Sequence, residues 1–196
     1  MTNAGFEVVP REAAGWGGFE SFYDRVVQDA PPGSSLVEVG VFCGKSLIHL
    51  AKAAKRANKG LKVYGVDTFQ GSPEFDHLVR FDDKPLSKCH PGLMIGECVA
   101  NLANHGVRDD VTLIVGDSAK SADLFYAQSV FMVFLDAAHD YVNVMNDIAA
   151  WSPKVERGGY LSGDDIHVFD GVKAAVEECF GFDYQSPGSW WEKRYL

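Results

Sequence analysis

Gly40 and Gly44 lie four residues apart in the run Glu38-Val39-Gly40-Val41-Phe42-Cys43-Gly44-Lys45-Ser46. Glycine lets a backbone turn sharply and approach a ligand closely, and a helix starting just beyond would offer unpaired N–H donors. A small ligand is expected at such a turn. Gly44-Lys45-Ser46 matches the end of a phosphate-binding P-loop, but that motif has four residues between its first glycine and the Gly-Lys pair. Here only Val41, Phe42 and Cys43 intervene, and the dinucleotide spacing GxGxxG is absent. Glu38 weighs the same way, because a carboxylate beside the turn repels a triphosphate and favours an amino or sulfonium group. The plain alternative is that the two glycines only cap a tight strand-to-helix turn.

Further acids end later apolar runs. Val63-Tyr64-Gly65-Val66-Asp67 closes 27 residues beyond Gly40, within the reach of one βαβ unit. An acid at the end of a second strand can accept hydrogen bonds from ribose hydroxyls; taken alone it reads equally well as a turn residue or helix cap. Asp136 follows Val130 to Leu135, and Asp164-Asp165 follow Tyr160 to Ser162. If those two strands are neighbours, three carboxylates converge, and a cation or protons must offset their repulsion. An all-oxygen set of this kind suits magnesium or another hard divalent ion. Capping also explains Asp164 and Asp165, and Asp140 reads as the start of a helix carrying Tyr141, Val144, Met145 and Ile148. His139 is either a catalytic group or a structural hydrogen-bonding partner. His167 is a lesser candidate ligand or base, and His49, set among apolar helix residues, reads as a packed histidine.

Strands alternating with helices would place these groups together. Leu36 to Val39, Lys62 to Val66, Val111 to Val115, Val130 to Leu135 and Tyr160 to Ser162 are of strand length and rich in β-branched or aromatic residues. Helical spacing lies between them: Phe19, Phe22, Val26 and Val27; then Leu47, Ile48, Leu50 and Ala51; later Gly171 to Phe180. Phe182 to Gln185 and Trp190 to Tyr195 flank a Ser186-Pro187-Gly188-Ser189 turn signal. The expected fold class is α/β: a doubly wound, Rossmann-like, mostly parallel sheet of seven strands with a C-terminal antiparallel hairpin. Within one domain over 1–196, residues 1–30 read as an irregular and helical N-terminal extension. Residues 71–91 form a polar, proline-containing loop on the substrate side. Trp190 and Trp191 alternate in a terminal strand, so one should face the core and the other solvent or a partner.

The 196 residues, 46% hydrophobic, suffice for one sizeable core. A net charge of −9 without Lys or Arg clusters argues against nucleic acid and anionic membranes as partners. Cys43, Cys89, Cys98 and Cys179 have neither disulfide nor zinc spacing, which favours free thiols and a cytoplasmic location. There is no signal-peptide pattern after Met1 and no membrane-length apolar run. Self-association into a homo-oligomer is left open.

Taken in order, these segments resemble the class I S-adenosylmethionine-dependent methyltransferases, especially the small bacterial branch related to macrocin O-methyltransferase and the cephalosporin hydroxylase-like proteins. The likeness runs from Gly15-Trp16 through Glu38 to Ser46, Val66-Asp67-Thr68-Phe69-Gln70-Gly71-Ser72 and Phe134-Leu135-Asp136-Ala137-Ala138-His139-Asp140-Tyr141. It continues through Trp151, Gly158-Gly159, Gly163-Asp164-Asp165 and Ser189-Trp190. The resemblance implies S-adenosylmethionine held by Glu38, Gly40, Val41, Phe42, Gly44, Lys45, Ser46, Asp67, Thr68, Asp117, Ser118 and Asp136. Of these, Glu38, Gly40, Gly44 and Ser46 would line the methionine part, Asp67 the ribose, and Gly116-Asp117-Ser118 the adenine. It also implies a divalent metal, Mg2+ in the simplest case, on Asp136, Asp164 and Asp165, orienting a hydroxyl of a small-molecule acceptor such as a sugar. Relatives of this kind often carry a second acid two residues after the first; Ala138 stands there instead, which moves the role of base to His139, with Asp136 beside it. Residues 71–91 and the segment around Trp16 would wall the acceptor. Two rivals stay in view: a P-loop hydrolase using Lys45 and Asp136, and a non-catalytic cofactor-binding domain, which Ala138 keeps alive.

Overall fold

The computed structural model describes residues 12, 13, 15, 17–71, 80, 81, 84, 85 and 90–196. Its strands are β1 (Ser35–Val39), β2 (Lys62–Asp67), β3 (Arg80–Phe81), β4 (Lys84–Pro85), β5 (Val111–Val115), β6 (Val130–Leu135), β7 (Val155–Gly163) and β8 (Trp191–Arg194). The helices are α1 (Glu20–Asp29), α2 (Lys45–Ala57), α3 (Pro91–Asn104), α4 (Ser118–Ser121), α5 (Tyr141–Trp151) and α6 (Asp170–Phe180). Six strands form one sheet in the order β5-β2-β1-β6-β7-β8, all parallel except β8, which runs antiparallel to β7.

The continuous apolar run of β6 reflects burial on both faces, and all six of its residues are buried. Successive side chains point to opposite faces. Leu36, Met132, Phe134 and Tyr160 therefore join a core that packs against α1 and α2, whereas Val37, Val133, Leu135 and Leu161 join a second core under α5 and α6. Helix α1 contributes Phe22, Tyr23, Val26 and Val27 to the first core, and α5 contributes Val144, Ile148 and Trp151 to the second. Asp140 caps α5 by accepting from the Asn143 N–H at 3.1 Å.

Several expectations are sharpened. Strand β7 is longer than the run Tyr160 to Ser162: it begins at Val155, and its pairing with β6 shifts register between Val130 and Met132. The seventh strand shrinks to one bridge, Gln185 to Glu192, leaving six strands in the main sheet among the described residues. Trp191 enters the second core as expected of one tryptophan; Trp190 packs half-buried on the first core, near Phe22. Helix α3 was not announced by the sequence; Pro91 begins it and the His90 ring accepts from the Gly92 N–H. Within the expected loop over 71–91, β3 and β4 pair antiparallel, while Trp16, residues 72–79, 82, 83 and 86–89 lie outside the described residues. Cys43 and Cys98 are buried, and Cys179 is exposed.

From β1 the chain moves outward through β2 to β5, then returns to place β6 on the other side of β1. This reversal is the switch point where ligands bind in open α/β sheets, beyond the carboxyl ends of the strands.

Candidate active site

The glycine turn leaves β1 at Gly40 and enters α2 at Gly44, with positive φ at Gly40, Phe42 and Gly44. Asp67, at the end of the neighbouring β2, holds this turn. Its Oδ2 accepts from the N–H groups of Val41 and Phe42 at 2.7 and 2.8 Å, and Oδ1 accepts from Phe69 N–H at 2.7 Å. A carboxylate thus already fills the amide nest that a P-loop would offer to phosphate. Lys45 points its ammonium to the Gly15 carbonyl, 3.3 Å away, so it does not arch over the turn as a P-loop lysine would. The hydrolase reading is corrected on both counts. From below, buried Asn101 of α3 donates to the Cys43 carbonyl at 3.0 Å.

Glu38 is buried behind the turn. Tyr23 donates its hydroxyl to Oε2 at 2.8 Å and Ser46 donates to Oε1 at 2.7 Å. Burial pushes the carboxyl up to about 8, the Ser46 and Tyr23 hydrogen bonds oppose that rise, and nearby Asp136 and Asp67 add to it. Because Ser46 gives its one hydroxyl proton to Glu38, it presents only lone pairs elsewhere.

The register of β6 against β7 sets Leu135 beside Gly163, so Asp136 and Asp164-Asp165 leave adjacent strand ends together. His139 Nε2 lies 3.0 Å from Asp165 Oδ2 and 3.8 Å from Asp136 Oδ1, and its ring stacks on Phe169 with centroids 4.4 Å apart. Burial raises the Asp136 carboxyl to about 7; the His139 hydrogen bond works against this, and Asp164 and Asp165 work with it. Asp164, also raised by burial, accepts from Ser189 Oγ at 2.6 Å. Ligand atoms of Asp136, His139 and Asp165 lie within 4.8 Å of one another. Two hard oxygen donors and an imidazole, converging this closely, fit a divalent cation. Asp164, expected as the third oxygen ligand, accepts from Ser189 through Oδ1, and the group that converges most closely is Asp136, His139 and Asp165.

A cavity of about 640 Å³ joins these parts, within the span of about 300–1,000 Å³ common for small-molecule sites. Gly40, Val41, Phe42, Lys45, Ser46, Asp67, Thr68, Asp117, Ser118, Asp136, His139, Asp164 and Asp165 all line it. Glu38 and Gly44 do not; the first acts from behind Ser46, and a side chain on the second would press on Cys98 Sγ. His167 is exposed and stays outside the lining, and His49 bridges α2 to Asp24 of α1 at 3.0 Å. Asp147 and Phe169, which also line the cavity, carry no sequence signal, nor does Tyr23, whose partner is 15 residues away; Ser189, part of the resemblance, lines the cavity too.

A cavity spread over five strand ends, with an acid at the end of β2, a glycine turn and an acidic corner, is the kind of site an α/β enzyme uses for a nucleoside cofactor. The profile of a methyltransferase domain matches residues 37–166, from β1 to just past β7. The chain belongs to that family, and with this fold it is a class I S-adenosylmethionine-dependent methyltransferase. Solved structures of like fold include the O-methyltransferase NovP, with TM-score 0.69, 22% identity, and coverage of 90% of this chain and 79% of that one. The calicheamicin methyltransferase CalS11 gives TM-score 0.62 and 19% identity over 90% of this chain and 77% of its own. TomG of Streptomyces achromogenes, an O-methyltransferase involved in tomaymycin synthesis and solved with its cofactor, gives 0.60 and 15% over 90% and 79%. At these identities the likeness is one of fold. Among the described residues no helix is long and apolar enough to cross a membrane.

Proposed function

We propose that this protein transfers the methyl group of S-adenosylmethionine to a hydroxyl of a small molecule, of the sugar or secondary-metabolite kind. The observation that carries this is the placing of Asp136, His139 and Asp165 in the same cavity as the glycine turn. An oxygen nucleophile needs its proton removed as it attacks the sulfonium methyl, and a cluster of two carboxylates and an imidazole stabilises that proton.

In this reading Ser46, its own proton given to Glu38, accepts from the cofactor's ammonium group. Asp67 keeps the turn in shape and offers its remaining lone pairs to the ribose, with Thr68 alongside. Gly116, Asp117 and Ser118 border the base. On the acceptor side, His139 receives the hydroxyl proton; Asp165 at 3.0 Å and Asp136 at 3.8 Å favour the resulting imidazolium, and Phe169 fixes the ring plane. Asp136 and Asp165 would hold a divalent cation, with Asp164 beside them, and when bound it would lower the pKa of the acceptor hydroxyl. O-methyltransferases such as NovP and TomG support the choice of oxygen as acceptor atom.

The test is transfer of labelled methyl from S-adenosylmethionine to a panel of hydroxylated sugars and phenols, run with added magnesium or manganese and again after chelation. Transfer to a hydroxyl, reduced by chelation and restored by the metal, supports the whole reading. Transfer unaffected by chelation removes the metal from it. Calorimetry that finds cofactor binding, with no acceptor in the panel methylated, leaves a non-catalytic binding domain as the better account.

A further inference from the structure

Resting on this reading, we infer that Asp147 reads the amino group of the cofactor's base, distinguishing adenine from a 6-oxo purine. The placing follows from strand order. With the methionine part at the β1 turn and the methyl toward the acids of β6 and β7, the nucleoside would extend the other way, along the cavity past Asp67 on β2 to the end of β5. Helix α4 follows β5 there and packs against α5.

Asp147 stands on α5 and lines the cavity, although the residue is only 7% exposed. It is fixed by a relay of hydrogen bonds. The Trp151 indole N–H donates to Ser118 Oγ at 3.1 Å, which leaves the Ser118 hydroxyl proton for Asp147. A carboxylate has about four acceptor sites and no donor, so one hydroxyl leaves most of its capacity unused. A buried anion on a cavity wall favours a ligand that brings N–H donors. An exocyclic amino group supplies them, while a 6-oxo group would set oxygen against oxygen. Asp117, the acid expected here from the sequence, is exposed, and its Oδ1 accepts from Lys120 N–H as the cap of α4. Asp147 is therefore the better-ordered acceptor.

Calorimetry with S-adenosylhomocysteine and its 6-oxo analogue S-inosylhomocysteine tests this without any turnover. The wild-type protein should prefer the amino form by roughly 10–100-fold, the usual worth of a hydrogen bond to a charged group. Asp147→Asn, whose amide can donate to a 6-oxo group, should shrink the preference to a few-fold. Asp147→Ser is the second variant should the asparagine form fail to fold. Equal affinities in the wild-type protein, or an undiminished preference in a folded Asp147 variant, overturn the inference. Failure of the wild-type protein to bind either ligand would instead sink the cofactor site on which it rests.

Discussion

Gly40 packs directly on the backbone of Asp136: a side-chain carbon on Gly40 would overlap the Asp136 carbonyl oxygen and crowd the Ala137 nitrogen. The residue that opens the cofactor turn thus also carries the contact between the ends of β1 and β6. Gly40 has φ +91°, a left-handed conformation that already disfavours a side chain. Gly40→Ala is expected to destabilise the fold by about 2–4 kcal/mol, the sum of backbone strain and overpacking. A melting temperature lower by about 5–15 °C would register this. An unchanged melting temperature would mean that the contact does not exist. A substitution at Gly40 consequently reads folding before it reads cofactor binding.

Glu38 makes stability depend on pH in a direction opposite to that of most carboxylates. Its pKa is raised from 4.5 to about 8, first of all by burial. Between those values the folded protein keeps a proton that the unfolded chain releases. Stability from this group is complete below about pH 4.5 and is lost as pH rises toward 8. Glu38→Gln keeps the shape and lacks the titration. Its melting temperature relative to wild type should therefore climb steadily from pH 5 to pH 8, and a flat difference across that range would show that Glu38 is ionised in the folded state.

Asp67 is the residue by which the cofactor turn can be tested without disturbing strand packing. Removing its carboxylate leaves the Val41 and Phe42 N–H groups without the acceptor they now share. Each such orphaned donor costs about 1–3 kcal/mol where water cannot replace the partner. Asp67→Ala should weaken S-adenosylhomocysteine binding at least tenfold in calorimetry, with a drop of several degrees in melting temperature. Full affinity in the variant would separate both the turn and the ribose from this acid.

The parts legible in the sequence were those in which neighbours in the chain are neighbours in space. The wholly apolar β6 announced a strand buried on both faces, Asp140 announced the start of α5, and the glycine turn with Ser46 lies within one short run. Helix α3 escaped because its apolar residues do not keep to one face; Leu93 is exposed while Met94 and Cys98 are buried, and its cap is a histidine. Asp147, Ser189 and Phe169 belong to the cavity only because α5, α6 and the approach to β8 fold back over the strand ends. No spacing rule connects residues that far apart. That Asp164 would turn to Ser189 depended on a partner 25 residues away.

His139 offers the sharpest test of chemistry against architecture. Its ring is buried, stacked on Phe169 and placed between two carboxylates, so it can matter either as the group that takes the acceptor's proton or as a strut for Asp165. The two roles separate under two substitutions. His139→Ala removes base and strut together, whereas Asp165→Asn removes the charge that favours the imidazolium and leaves the imidazole in place. As base, His139 is worth roughly 10²–10⁴ in the transfer step. Single-turnover methyl transfer by His139→Ala should fall by that amount, while S-adenosylhomocysteine affinity stays within a few-fold, because in this reading the ring serves the acceptor and not the cofactor. Asp165→Asn should fall less, since Asp136 still faces the ring at 3.8 Å. Equal losses in the two variants would point to a shared structural or metal-holding role. Preserved transfer in His139→Ala would leave Asp136, the other acid in reach of the acceptor, as the group that takes the proton.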